Sequence, residues 1–546
     1  MKTKIILITL VSILVLSCKQ KAQVLGWPNQ VKVYTDSAEF VLTSTDNQKW
    51  SKDGLEVIFS KSKDIINVDL SSPLKSIKNI KIKWVIQQID SSLYMGDHWE
   101  RSYGDLSWQK LSSTSTMPWY FMSFDGNVSM GYGVMTGCHS FASWNVAKDS
   151  LILNLDTRNG TNGVELDTRI LRAAEIVCYS GKTGEDTFAS AVNFCKLMSP
   201  HPRLPKQPVY GINDWYFAYG NNSAALIMKT VNLMSPLAKD KNNRPFCVID
   251  DGWIKKDADL DYNWSSNYAV SNSTTFGDMT ALASKIKKAG MRPGLWTRPL
   301  CASPNEKVDN ILSRTRGSKY PILDPTIPAN MDKIRNYFKL YQKWGYEMVK
   351  HDYTTYDILG KWGFEMIRDR EITSGDWSFS DKSKTTAEVL LDLYKNIRQA
   401  SGNMYLIGCN TVGHLAAGIF ELQRIGDDTS GKEWARTRKM GVNTLAFRAC
   451  QHNTFFAVDG DCVGLTTDIP WKLNKQWLQL LAESGTPLFI SAQPQVLGTE
   501  QKAYIEKCFG IAAKSSKVGQ PFDWMRTKIP SKWKLQGKEI QFEWGK

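Results

Sequence analysis

"NMDKIRNYFKLYQKWGYEMVKHDYTTYD", Asn330 to Asp357, carries two periodicities back to back. Its first half repeats apolar residues at helical spacing. Its second half opens with a short apolar run, Tyr346 to Val349, of strand character. Lys350, His351 and Asp352 stand where that run ends. Residues i and i+2 of a strand point to one side, so Lys350 and Asp352 share a face. An ammonium beside a carboxylate favours its ionised form. Two readings follow for this stretch alone: a surface ion pair, or a carboxylate kept charged for chemistry.

The same unit recurs on both sides of the quoted stretch. Strand-like runs are "VYGINDWYF", "PFCVIDDGW", "MRPGLWTRP", "YEMVKHDY", "MYLIGCNTV", "LQRIGDD", "TFFAVDGD" and "TPLFIS". Between them lie segments of helical period, among them "DMTALASKIKKAG", "TTAEVLLDLYKNIRQASG", "EWARTRKMGVNTLAFRACQ" and "KQWLQLLAESG". Eight strands alternating with helices predict a parallel (β/α)8 TIM barrel over 205–493. An open doubly wound sheet is the other arrangement of such a pattern. It would place a Gly-rich phosphate loop after the first strand, and none stands there.

Upstream, 24–200 reads as an antiparallel β-sandwich. "LEVIFSK", "IKNIKIKWVIQQ" and "SLILNLDTR" alternate apolar and polar residues, with Gly, Asn, Asp and Ser between such runs. The Pro-rich "SPHPRLPKQP", Ser199 to Pro208, reads as a linker. Downstream, 494–546 holds one helix and a short β remnant, "KWKLQGKEIQFEW", read as a single hairpin.

Bulk composition narrows the function. The 546 residues are enough for roughly two to four domains, and 42% hydrophobic residues fill large cores. Net charge is +14, but it is spread along the chain, so no segment tracks a phosphate backbone and no nucleic-acid partner is expected. The 20 Trp and 20 Tyr fit stacking on sugar rings as well as core packing. No Cys or His cluster has metal spacing, so neither metal nor cofactor is expected. The first twenty residues, "MKTKIILITLVSILVLSCKQ", join a positive start to an apolar run. That is a secretory signal over 1–18. "VLSC" resembles the lipobox of bacterial lipoproteins, which implies a lipid on Cys18 and a protein anchored in the cell envelope, in the periplasm or at the outer membrane.

In a (β/α)8 barrel the C-terminal strand ends hold the chemistry. Here those ends carry Asp250, Asp251 and Trp253, then Trp296 and Arg298, then Lys350 and Asp352, then Cys409 and Asn410, then Arg424, Asp427 and Asp428. Solvated loop charges account poorly for five such endings in succession. Two carboxylates on different strands suit glycoside hydrolysis, where one stays ionised and the other delivers a proton. Lys350 makes Asp352 the expected nucleophile. Repulsion within the Asp427–Asp428 pair is expected to raise one pKa and so create the proton donor. Asp250 and Asp251, with no cation beside them in sequence, are expected to accept from adjacent sugar hydroxyls. Trp215, Trp253 and Trp296 are expected to line the walls.

These motifs resemble a clan D glycoside hydrolase of the family holding bacterial alpha-galactosidases and raffinose synthases. "GDHWERSYGDLSW", Gly96 to Trp108, is similar to that family's loop in the N-terminal sandwich, which implies a substrate contact at Trp99. "VIDDGW" is similar to the motif whose aspartates, here Asp250 and Asp251, bind O4 and O6 of galactose. "KHD" fits K-x-D, with Asp352 as nucleophile and Lys350 as sugar ligand. "RIGDD" fits R-x-x-x-D, with Arg424 as sugar ligand and Asp428 as acid/base. Trp296 and Cys409 stand where the family has a pocket Trp and Cys. Ala492 replaces an Asp the family often carries, and "DGDC", Asp459 to Cys462, has no assigned role. The resemblance implies a retaining, exo-acting alpha-galactosidase. It leaves open a raffinose-synthase-like transferase, an alpha-N-acetylgalactosaminidase, a beta-L-arabinopyranosidase and a non-catalytic sugar-binding lipoprotein.

Overall fold

The computed structural model of the protein describes residues 25–86, 92–110, 115–256, 265–515 and 517–545. The signal and lipobox, with Cys18, lie outside the described residues. Alternation in sequence becomes alternation in burial across the N-terminal sheets: Ile65–Ser71 is buried at every second residue. Among the described residues one sheet has six strands and the other seven. Every strand pairing in the two is antiparallel, as between Ser150–Asp156 and Ile77–Val85. Trp144 of the first sheet meets Phe121 and Tyr132 of the second, with ring centres 6.0 and 6.5 Å apart. The helix Thr187–Met198 follows the last of these strands.

The barrel strands run in parallel order. They are Tyr210–Asn213, Phe246–Ile249, Arg292–Thr297, Met348–His351, Tyr405–Gly408, Leu422–Arg424, a divided seventh strand, and Leu488–Ala492. The seventh consists of Ala457–Asp459, paired to the sixth strand, and Cys462–Leu465, paired to the eighth. The chain crosses between the halves in two residues, Gly460 and Asp461, and thereby joins the first and last parts of the sheet. Asp461 takes φ +76°, a left-handed conformation that Asp tolerates better than most side chains.

Period two builds the interior. Phe246, Val248, Met348, Tyr405, Ile407, Leu422, Ala457 and Phe489 pack together inside the barrel. The next inward positions are Asp250, Lys350, Cys409 and Arg424. The apolar plug therefore ends where the ionisable residues begin, and they gather on top of it at one mouth. His351, one residue out of phase, faces the helices instead, its ring centre 4.8 Å from that of Phe420. Burial pushes its pKa down to about 4.

Two elements differ from expectation. The expected continuous helix from Glu433 to Gln451 is Trp434–Arg436, a π-helical segment Thr437–Asn443 and Thr444–Arg448. The wider turns let Asn443 donate from Nδ2 to the carbonyls of Leu106 and Lys528, 2.8 and 2.6 Å away. The C-terminal hairpin Lys532–Leu535 and Lys538–Gln541 gains a third strand, Gln520–Pro521. It is fastened to the barrel by the Trp434 indole N–H, which donates to the Trp544 carbonyl at 2.6 Å.

Candidate active site

The mouth holds two carboxylate groupings. The first is built on strands one, two and four. Asp250 Oδ2 accepts from Lys350 Nζ and from Asn213 Nδ2, both at 2.7 Å. Its Oδ1 accepts the Asp251 N–H at 3.0 Å. Asp214 supports this strand end by accepting the Asp250 N–H at 2.7 Å. Asp251 is held through Oδ1 by the Gly252 N–H at 2.7 Å. Its buried Oδ2 has no hydrogen-bond partner among the described residues. Burial, reinforced by the charge of Asp250, pushes both Asp214 and Asp251 up to about 7.

Asp352 sits at the end of strand four, half-buried. Its Oδ2 accepts the Trp296 indole N–H at 3.2 Å, and its Oδ1 accepts the Tyr353 N–H at 2.8 Å. Tyr353 has φ +64°, a strained conformation for an aromatic residue. Burial, and then the nearby Asp352, raise the Cys409 thiol well above its usual range, so it remains S–H.

The second grouping surrounds Arg424, only 1% exposed. Its Nη2 donates to Asp461 Oδ2 at 2.5 Å and to Asp428 Oδ1 at 2.9 Å. Tyr216 hydroxyl also donates to Asp461, and so do the Thr429 amide and hydroxyl, each at 2.8 Å. Arg424 Nη1 lies 3.9 Å from Cys409 Sγ. Its buried Nε has no acceptor among the described residues. Among the described residues this end of the barrel thus holds unmatched acceptors, Asp251 Oδ2 and the neighbouring Asn222 Oδ1, and an unmatched donor, Arg424 Nε. Buried polar atoms of this kind cost stability unless a ligand matches them. A polyhydroxylated ring presents both donors and acceptors.

The sandwich closes one side. Ser102 N–H donates to the Ile425 carbonyl, and the Asp427 N–H donates to the Ser102 carbonyl, both at 3.0 Å. Gly104 of the same loop has φ +73°, and a Cβ there would stand 2.7 Å from the Lys439 carbonyl oxygen. This seating brings Arg101 to 3.8 Å from Asp428 and 3.3 Å from Asp427.

No protein-family model matches the chain, and no curated protein matches it. Solved structures do. An alpha-galactosidase of Thermus thermophilus in complex with p-nitrophenyl alpha-D-galactopyranoside superposes with a TM-score of 0.58 at 14% identity, covering 94% of this chain and 98% of that one. The GH36 alpha-galactosidase AgaA of Geobacillus stearothermophilus gives 0.61 at 12% identity, over 88% and 71%. A variant of the same enzyme in complex with 1-deoxygalactonojirimycin gives 0.60 at 12%, over 91% and 73%. This chain has the fold of the GH36 alpha-galactosidases.

Several sequence expectations need correction. Lys350 does share a face with Asp352, but its ammonium bonds to Asp250. Two inward-facing side chains on strands two and four meet across the barrel, and sequence adjacency says nothing of that. Asp250 therefore has a cation after all. Asp427 does not raise its neighbour's pKa by repulsion. It turns onto Arg436, 2.6 Å away, and onto Arg101. Burial favours a higher pKa for Asp428, but Arg424, Arg101 and Lys350 outweigh it and hold the carboxyl at about 2. Trp99 does not face the mouth. Its indole N–H donates to the Ala142 carbonyl inside the sandwich at 3.0 Å. Trp253 is fully buried behind the wall, its indole donating to the Trp296 carbonyl at 2.9 Å. Trp215 is half-buried beside the first strand end, its ring 5.7 Å from that of Tyr219.

Sequence reasoning passed over Asn213, Asp214, Tyr216, Glu100 and Arg101, and left Asp461 without a role. "DGDC" did hold a signal: two carboxylates at a strand end. The Glu100–Arg101 pair lay inside a loop that no periodicity connects to the barrel.

Proposed function

We propose that this chain is a retaining, exo-acting glycoside hydrolase that releases terminal alpha-linked galactose from oligosaccharides or glycans. The observation that carries the reading is the pair Asp352 and Asp428 at the ends of strands four and six, each fixed by different partners. Asp352 accepts two neutral N–H groups and touches no cation within 4 Å among the described residues, which leaves it free to attack. Attack on the anomeric carbon forms a glycosyl ester at Asp352, and Asp428 gives its proton to the departing oxygen. Water, deprotonated by Asp428, then cleaves the ester with net retention.

Asp428 must gain a proton before it can give one. In the unliganded site it pairs with Arg424. A sugar hydroxyl that accepts from Arg424 competes with that pair and raises the proton affinity of Asp428. Asp250 and Asp251 accept from O4 and O6 of the sugar, with Lys350 orienting Asp250. Trp296, Trp215 and Cys409 line the same pocket. Trp99 is left out of this set because its polar edge is spent inside the sandwich.

The alpha-galactoside complexes of the fold neighbours support the choice of sugar, as does the acceptor-rich side formed by Asp250 and Asp251. A p-nitrophenyl alpha-galactoside hydrolysed with the alpha anomer as first product, seen by proton NMR, is the expected result. A beta first product, or equal kcat/KM on the alpha-glucoside, overturns it. A site built to bond a hydroxyl rejects the epimer by about a hundredfold or more. We further propose export and lipidation at Cys18, by the lipobox alone. Metabolic labelling with a radioactive fatty acid, lost in Cys18→Ser, is the expected outcome, and labelling that persists overturns it.

A further inference from the structure

Arg101 comes from the sandwich, yet its guanidinium is one of the best-anchored groups at the barrel mouth. It is 4% exposed. Its Nε donates to Glu100 Oε1 at 2.9 Å. Its plane lies over the Trp362 ring, 5.3 Å from the centre, and Trp362 in turn stacks on Tyr356 at 4.3 Å. Nη2 lies 3.3 Å from Asp427, and Nη1 points toward Asp428 at 3.8 Å. Glu100 is itself pinned: it accepts from the Asn410 side-chain amide, from the Gly363 N–H at 2.8 Å and from the Tyr103 hydroxyl at 2.7 Å. These contacts tie strand ends five and six and the loop after strand four to two adjacent sandwich-domain residues, Glu100 and Arg101.

We propose that Arg101 is a positioning residue for Asp428, fixing the acid/base carboxylate from across the domain boundary so that docking of the sandwich completes the proton-transfer group. The proposal rests on the hydrolase reading above. A merely structural ion pair needs only Glu100 and Asp427. Nη1 adds nothing to that pairing, and it faces the one carboxylate whose proton the reaction uses. Among the described residues the charged and titratable groups facing Asp428 are Arg424 beneath it, Asp461 on the same Arg424 nitrogen, Lys350 from strand four, Tyr216 and Tyr219 from the segment after strand one, Asp427 beside it, and Arg101. Of the three cations, Arg101 alone comes from outside the barrel. Its charge is one of those that hold the Asp428 carboxyl low.

The test is the pH dependence of kcat, which reports the sugar-bound site, for Arg101→Met and Arg101→Lys on two substrates. Raffinose has a poor leaving group and needs the proton; alpha-galactosyl fluoride does not. A general acid must be protonated, so Asp428 governs the basic limb. Removing a cation at this distance is expected to move that limb on raffinose upward by about one pH unit in Arg101→Met. Arg101→Lys, whose charge is kept but whose fork is lost, moves it less. The limb on the fluoride stays in place. A limb that is unmoved on raffinose, or moved alike on both substrates, overturns the proposal. Arg101→Lys keeps a partner for Glu100 and Asp427 and decides the matter if the methionine variant does not fold: an unmoved limb then overturns it. Wild-type protein that turns over neither substrate overturns the hydrolase reading and this role with it. An active wild type with unmoved limbs overturns this role alone.

Discussion

Replacing Asp461 by asparagine removes one charge from the deepest ion pair of the site and changes little else. Asparagine accepts the left-handed backbone at φ +76° and keeps one carbonyl oxygen for Thr429 and Tyr216. Arg424 and Asp461 are 1% and 3% exposed, with 2.5 Å between nitrogen and oxygen. Breaking a buried pair from one side costs about 3–5 kcal/mol, because the remaining charge is stranded. Here Asp428 stays 2.9 Å from Arg424 and is 41% exposed, so it neutralises the guanidinium in part. The lower end, about 3 kcal/mol, is therefore the expected loss. For a domain of this size that lowers Tm by about 6 °C, at about 2 °C per kcal/mol. Thermal melts at pH 7 measure it, and Arg424→Met supplies the second half of a double-mutant cycle. With no guanidinium to strand, Asp461→Asn in the Arg424→Met background is expected to cost less than about 1 kcal/mol. Arg424 is also released toward Asp428, so kcat/KM on an alpha-galactoside is expected to fall at least about tenfold. An unchanged Tm, or the same cost in both backgrounds, refutes the reasoning that Asp461 acts by neutralising Arg424.

Three other outcomes are expected. Asp352→Ala is expected to remove turnover by several powers of ten while leaving Tm nearly unchanged, with azide restoring part of the rate; more than about a tenth of wild-type activity would exclude Asp352 as nucleophile. Asp428→Ala is expected to slow raffinose hydrolysis far more than that of a dinitrophenyl galactoside, whose leaving group needs no proton, whereas Asp427→Ala slows both alike; the reverse pattern would exchange their roles. Asp251 has a folded pKa of about 7, above the ordinary carboxylate range, so its stabilising contribution is complete below about pH 4 and is lost as pH rises through 7. Asp251→Asn is therefore expected to raise Tm relative to wild type at pH 8 more than at pH 5, and a gap independent of pH would contradict the assignment.

How far the sequence reached depends on the range of the forces involved. Backbone periodicity is local. Runs such as Tyr346 to His351 therefore declared themselves as strands, and the eight-fold alternation with helices named the barrel. Strand-end position along the chain also marks Asp250, Asp352, Cys409 and Arg424 as one ring. Partner choice was not legible, because it is settled across the barrel and not along the chain. Lys350 lies two residues from Asp352 yet bonds to Asp250, one hundred residues away. Asp427 and Asp428 are neighbours, yet the cation that both face, Arg101, comes from the other domain, while each also meets an arginine of its own segment, Arg436 for the first and Arg424 for the second. Trp99 and Arg101 stand two apart in one loop, and the packing of the sandwich buried the first in its own core while sending the second over the mouth. The broken seventh strand shows the same division. Two carboxylates around a glycine marked a strand end, but only closure of the barrel, with its halves on different neighbours, put Asp461 against Arg424. Electrostatic pairing and domain docking act through space, and only the tertiary structure supplies those distances.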